Sequence, residues 1–240
     1  MNPVSSLATI RSTNATTFRE PGAAQAAGYV LAVAGLLVAA GLSLHPLPTG
    51  GFEESASQLS NTPVWGAIHA AIAFGFVLCA LGGLLALAAG GQTTRRWTTA
   101  LFWGALTVGM VYFTGVALIN GWVMHPLAAQ AAAEPALYAA MNHLLVGFGW
   151  LGNPLFLLGL TGLAAREARY GEMGMPRWLG YAGLLLSLLA WGRGVGSATG
   201  LYFLEPLIVA NIPAFLWLGY YGLLMARLAR EQAASDSGGR

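Results

Sequence analysis

Apolar residues run in six long stretches, at 24–44, 64–89, 97–124, 137–164, 178 to about 196, and 207–226, separated by polar connections. A run of roughly 18 or more apolar residues is long enough to cross the hydrocarbon core of a bilayer as a helix. The pattern therefore predicts an all-α polytopic membrane bundle of six transmembrane helices, occupying 24–229 between a polar tail at 1–23 and another at 230–240. The connections carry the breakers. The 18-residue loop at 46–63 holds Gly50, Gly51, Glu53 and Glu54; the turn at 90–96 is tight and basic; the 126–136 loop holds Glu134 and Pro135. Helix five is ambiguous at Gly192-Arg193-Gly194-Val195-Gly196, where it either breaks or runs on to Leu204.

Charge sets the expected orientation. Only 8% of the 240 residues are charged, far below the roughly 25% of soluble domains. All basic residues are arginines. Arg11, Arg19, Arg95, Arg96, Arg166, Arg169, Arg177, Arg227, Arg230 and Arg240 fall on one side of a six-helix arrangement, and Arg193 alone falls elsewhere. Cytoplasmic loops are enriched in Lys and Arg, so both termini are expected in the cytoplasm and the acidic loops outside. The N-terminal segment lacks the layout of a cleaved signal peptide and reads as a cytoplasmic tail. A bacterial inner membrane is the expected setting, with the outer end facing the periplasm. No basic patch suggests nucleic acid; the lipid bilayer is the expected partner, with a redox partner or other membrane subunits beside it.

A motif repeats along the chain. Gly41-Leu42-Ser43-Leu44-His45-Pro46 ends the first stretch and Gly121-Trp122-Val123-Met124-His125-Pro126 the third. The second then carries His69 before Phe74-Gly75-Phe76, and the fourth His143 before Phe148-Gly149-Trp150. Glu205-Pro206 lies 80 residues after His125-Pro126, suggesting three helical hairpins, the third degenerate. At about 1.5 Å per residue, His45, His69, His125, His143 and Glu205 each lie roughly 35–44 Å along a helix from the nearest arginine-bearing end, in one layer near the outer interface. His45 and His125 also read as helix stops, because His suits a helix C-terminus and Pro ends the helix. His69 and His143 sit near helix N-termini, where a cation is disfavoured, so they are expected to be neutral and hydrogen-bonded, or ligands.

Imidazole suits iron, copper and zinc. The leading expectation is a b-type haem for redox, electron-transfer or gas-sensing work, its ligands drawn from His143, His69, His125 and His45 and its propionates met by Arg193. Gly41, Gly75, Gly121 and Gly149 could offer clearance, and Phe74, Phe76, Phe148, Trp122 and Trp150 walls, although for any one of them ordinary helix packing is the expected role. The alternatives are a copper, zinc or iron ion on His45, His69, His125, His143 and Glu205, and a cofactor-free accessory subunit or transporter. In that last case Arg193, Asn120, Asn153 and Asn211 would line a polar path.

Six helices with four histidines resemble the cytochrome b561 type, whose ligands form pairs on opposite sides of the membrane; here all four lie on one side. The segment Asn142-His143-Leu144-Leu145-Val146-Gly147-Phe148 resembles the low-spin haem helix of haem–copper oxidase catalytic subunits, and His125-Pro126 their copper-ligand helix, over about twenty residues and without the adjacent histidine pair of that family. No family is assigned on this basis. Without Lys, retinal Schiff-base chemistry is excluded, and the lone Cys79 excludes an internal disulfide or an all-Cys cluster. No HExxH, G-x-S-x-G or phosphate-binding glycine loop supports hydrolysis.

Overall fold

Helix α1 (Pro21–Leu44) opens on a proline, whose fixed φ and missing N–H suit the first helical turn. It closes at His45, held extended (φ −77°, ψ 119°), the conformation favoured before a proline. In the computed structural model, which describes residues 17–45 and 52–238, the chain continues as α2 (Phe52–Ser60), α3 (Trp65–Ala89), α4 (Trp97–Leu118), a π-helical segment (Ile119–Met124), α5 (His125–Ala128), α6 (Pro135–Tyr170), α7 (Arg177–Thr199), a 3₁₀ segment (Tyr202–Ala210) and α8 (Asn211–Gly238). The described residues contain no strand. Five segments are long and apolar enough to cross a membrane: Pro21–Leu44, Trp65–Ala89, Trp97–Ala128, Pro135–Tyr170 and Pro206–Ser237. Their outward faces carry exposed Val33, Leu36, Leu84, Val111, Leu151 and Leu223, as lipid contact requires. Trp97 and Trp178, 76% and 68% exposed, directly follow Arg96 and Arg177, the placement of an interfacial aromatic belt. These features suggest a membrane protein.

Neighbouring helices pack in the order α7–α6–α4–α3–α1–α8. The 90–96 turn depends on glycine, since Gly90 and Gly91 have φ of 59° and 58°. It is tied to the start of the chain by Glu20 N–H to the Ala89 carbonyl and Gln92 N–H to that of Thr17, both 2.9 Å. Gln232 of α8 brackets Phe18, accepting from its N–H (2.8 Å) and donating to its carbonyl (3.0 Å). The start of α1, the α3–α4 turn and the far end of α8 therefore share one end of the bundle. On the α1–α8 seam a Cβ at Gly28 would lie 2.7 Å from Ala226 Cβ, so the helices meet backbone to backbone. The centre is filled by Phe76, Phe113, Phe156 and Phe215, from α3, α4, α6 and α8; Phe156 stacks on Phe215 at 5.1 Å and 7°.

Three expectations change. The third helix does not stop at His125-Pro126: it passes through the π segment into α5 and ends at Ala128. Pro126 cannot donate to the carbonyl of Trp122, and widening the preceding turn to i→i+5 bonding accommodates that loss within a continuing helix. Helix five ends at Thr199, neither near Gly196 nor at Leu204. Gly200 takes the left-handed C-cap (φ 75°) and returns its N–H to the Gly196 carbonyl. The chain then turns into the 3₁₀ segment, which puts Glu205 beyond the helix rather than on it. Finally, α7 and α8 touch only sparsely, since α8 packs mainly on α1 and α7 on α6, so they do not form a third hairpin like α1/α3 and α4/α6.

Candidate functional site

Two of the four histidines meet. His45 at the end of α1 and His69 one turn into α3 place their ring centres 4.9 Å apart, edge to face. Trp65 covers both, at 4.7 Å from His45 and 4.6 Å from His69, because residues four apart share a helix face. His69 is 3% exposed. Its Nδ1 lies 3.0 Å from the Trp65 carbonyl, which can only accept, so Nδ1 carries the proton and Nε2 the lone pair. His143 repeats this device on α6, with Nδ1–H donating to the Ala139 carbonyl at 2.8 Å.

The π segment forms the floor. Its Asn120 carbonyl accepts from Trp65 Nε1–H at 3.0 Å. Gly121 lies under His69, where a Cβ would stand 2.5 Å from His69 Cβ and 3.2 Å from Cγ. His125 follows one turn later, at the start of α5. His125 Nε2 is buried and lacks a hydrogen-bond partner among the described residues. Such an orphaned atom costs about 1–3 kcal/mol and calls for an explanation.

The expected layer is therefore only partly gathered. His45 and His69 meet, whereas neither His125 nor His143 takes part in those ring contacts, and His143 is exposed on α6. Among the described residues, no three His, Cys, Asp or Glu side chains are arranged to hold a metal ion. The side chains of Glu53, Glu54 and Glu205, and residues 46–51 with Pro46, lie outside the described part. Of the glycines expected to give clearance, Gly41 is filled by Ile72 and Gly75 by Val38, while Gly149 has nothing within 4 Å. Phe76 belongs to the core, and Phe74 and Trp122 are exposed.

Gly149 and Arg193 belong to a second feature, a cleft of about 330 Å³ between α4, α6 and α7. Phe113, Trp150 and Trp191 wall it, and Arg193 and Asn153 add polar groups. Pro154, inside α6, leaves the Trp150 carbonyl without its helical donor beside this cleft. His143, Val146, Trp150 and Asn153 share one stripe of α6 by their three- and four-residue spacing.

Sequence reasoning overlooked Trp65, although a tryptophan four residues before a histidine in a helix was a legible sign. It also overlooked Glu167, buried near the end of α6, whose Oε2 and Oε1 accept from the N–H groups of Met173 (2.9 Å) and Met175 (2.8 Å). A carboxylate is disfavoured at a helix C-terminus, and that misplacement was the available sign. No protein family, curated protein or solved structure matches this chain.

Proposed function

We propose that the chain is a six-span membrane protein, both termini cytoplasmic, that holds a transition-metal centre at its outer, periplasmic end through His45, His69 and His125. The His45–His69 ring contact carries this reading. A metal ion lies about 2.0–2.1 Å from an imidazole nitrogen, so two imidazoles on a tetrahedral ion bring their ring centres to about 5 Å, whereas opposite faces of a haem iron hold them beyond about 6 Å. The 4.9 Å separation matches the first geometry. His69 has Nδ1–H fixed by a carbonyl, the usual outer support of a metal-bound imidazole. His125, rotated to present its unpartnered Nε2, supplies the third nitrogen and leaves an open position for electron transfer or a small ligand. Glu205 remains a candidate fourth ligand. Copper or iron would give redox work, zinc Lewis-acid work.

The sixth span is α7. Its 23 residues cover about 35 Å, enough to cross, and it exposes Leu185, Leu188 and Val195. With α7 crossing, Arg95, Arg96, Arg166, Arg169, Arg177, Arg227 and Arg230 all fall at the end that Phe18 and Gln232 tie together.

A second reading, b-type haem, is favoured by the cleft between α4, α6 and α7. It offers aromatic walls, Gly149 without a neighbour, His143 on the adjoining stripe and Arg193 for a propionate. The deciding experiment is the absorption spectrum and elemental analysis of detergent-purified protein. Stoichiometric copper, zinc or iron without a Soret band, removed by chelator and lost in His45→Ala and His69→Ala, is the expected result. A Soret band abolished by His143→Ala but not by His69→Ala would transfer the function to the cleft. Protein that stays colourless and takes up no copper, zinc or iron would overturn both readings and leave a cofactor-free accessory subunit or transporter.

A further inference from the structure

The opposite end of the bundle holds a pocket of about 270 Å³ lined by Gln92, Arg95 and Arg96 of the α3–α4 turn, Arg166 and Tyr170 of α6, and Gly171 and Glu172 beyond it. The guanidinium carbons of Arg96, Arg166 and Arg169 lie 5.2, 5.3 and 5.2 Å from the centre of the Tyr170 ring. Three cations held around one ring attract its faces and repel one another. The carboxylates nearby do not balance them. Glu172 is forked by Arg166, through Nε at 2.9 Å and through Nη2. Glu167, buried beneath, is engaged by the Met173 and Met175 amides. Four arginines against two carboxylates leave a net charge of +2 in and around a pocket with room for an anion.

We infer that this pocket binds a phosphate-bearing anion. Planar guanidinium forks match phosphate oxygens two at a time, and a small, charged, concave site between helix ends suits a phosphate better than a diffuse surface would. Exposed Trp97 and Trp178, beside Arg96 and Arg177, put this end at the depth of lipid headgroups. An anionic phospholipid headgroup and free phosphate share the required chemistry, and experiment separates them.

The test uses the full chain in phosphatidylcholine nanodiscs, titrated with phosphatidylglycerol or inorganic phosphate and read by native mass spectrometry and thermal unfolding. Phosphatidylglycerol is expected to bind and raise Tm, and the Arg95→Gln/Arg96→Gln double variant to weaken binding by about fivefold per arginine lost. Arg177→Gln, at the same end but outside the pocket lining, keeps wild-type affinity. If the double variant does not fold, Arg96→Lys, which keeps the charge and loses the fork, must still weaken binding. Saturation by inorganic phosphate with no further effect of phosphatidylglycerol assigns the pocket to free phosphate. Equal response to phosphatidylcholine and phosphatidylglycerol with no response to phosphate, or equal loss in Arg177→Gln, overturns the proposal.

Discussion

Gly121→Ala tests how tightly the π segment is pressed against His69. The added Cβ would lie 2.5 Å from His69 Cβ and 3.2 Å from Cγ, so either the π turn or α3 must move. Overpacking of this kind costs about 1–3 kcal/mol. Alanine also gains up to about 1 kcal/mol in helix propensity, which would mask part of the loss. Gly104→Ala removes that ambiguity: Gly104 lies within α4 with nothing within 4 Å of a built Cβ, so it takes the propensity gain without a clash. The difference between the two variants isolates the contact. At about 2–4 °C per kcal/mol for a chain of this size, Gly121→Ala should melt roughly 2–12 °C below Gly104→Ala in the same detergent. The same substitution should weaken metal binding through His69, while Gly104→Ala leaves it unchanged. Equal melting temperatures would show that the segment does not bear on His69, and the site geometry argued above would fail with it.

Phe156→Ala removes the ring stacked on Phe215 and edge-on to Phe113. Because lipid is as apolar as the core, lost packing dominates, and the cost should sit near the lower end of the aqueous range, about 3 kcal/mol, read as a fall in Tm. Gly28→Ala should wedge α1 from α8, lowering Tm by several degrees, whereas Gly22→Ala, with nothing within 4 Å, should not. Glu167→Ala strips the acceptors from Met173 and Met175; hydrogen exchange at those two amides should accelerate at least about tenfold, each bond to a charged group being worth about 1.5–3 kcal/mol.

The helices were legible because a bilayer forces apolar length onto any segment that crosses it, and that constraint acts on each segment alone. Pro21, Trp65, Trp97 and Arg177 accordingly mark real helix starts within a few residues of the polarity changes. What sequence could not carry was pairing. Nothing in the composition of α8 says that Gly222 and Ala226 will meet Gly28 of α1 rather than the α7 that precedes them. Nor does a Gly-rich stretch say where a helix stops. Gly192, Gly194 and Gly196 all stay within α7, and the end falls at Gly200, where a left-handed residue returns its N–H to Gly196. The four histidines were visible as a set, but their depth along each helix fixed only one coordinate. The angular positions that bring His45 to His69 and leave His143 exposed depend on the helix neighbours.

The repeated motif shows how far neighbours decide. Gly41 and Gly121 hold the same place in the two copies, yet Gly41 admits Ile72 and Gly121 admits His69. Gly75 is filled by Val38 of α1, whereas its counterpart Gly149 meets nothing and opens onto the Arg193 cleft. His45 caps a finished helix, while His125 continues one through a π turn. The first copy is enclosed because α1 packs against α3. In the second copy α4 packs against α6 in the same way, yet Gly149 meets nothing and faces the cleft that these two helices share with α7. Similar short motifs thus lie beside a closed imidazole pair on one side and an open, arginine-bearing cleft on the other. The closed side brings the His45 and His69 rings into contact under Trp65. The open side offers a cleft of about 330 Å³ with walls of Phe113, Trp150 and Trp191. The two proposed readings make different demands on His69 and His143, and for that reason single histidine variants, read one at a time, can tell them apart.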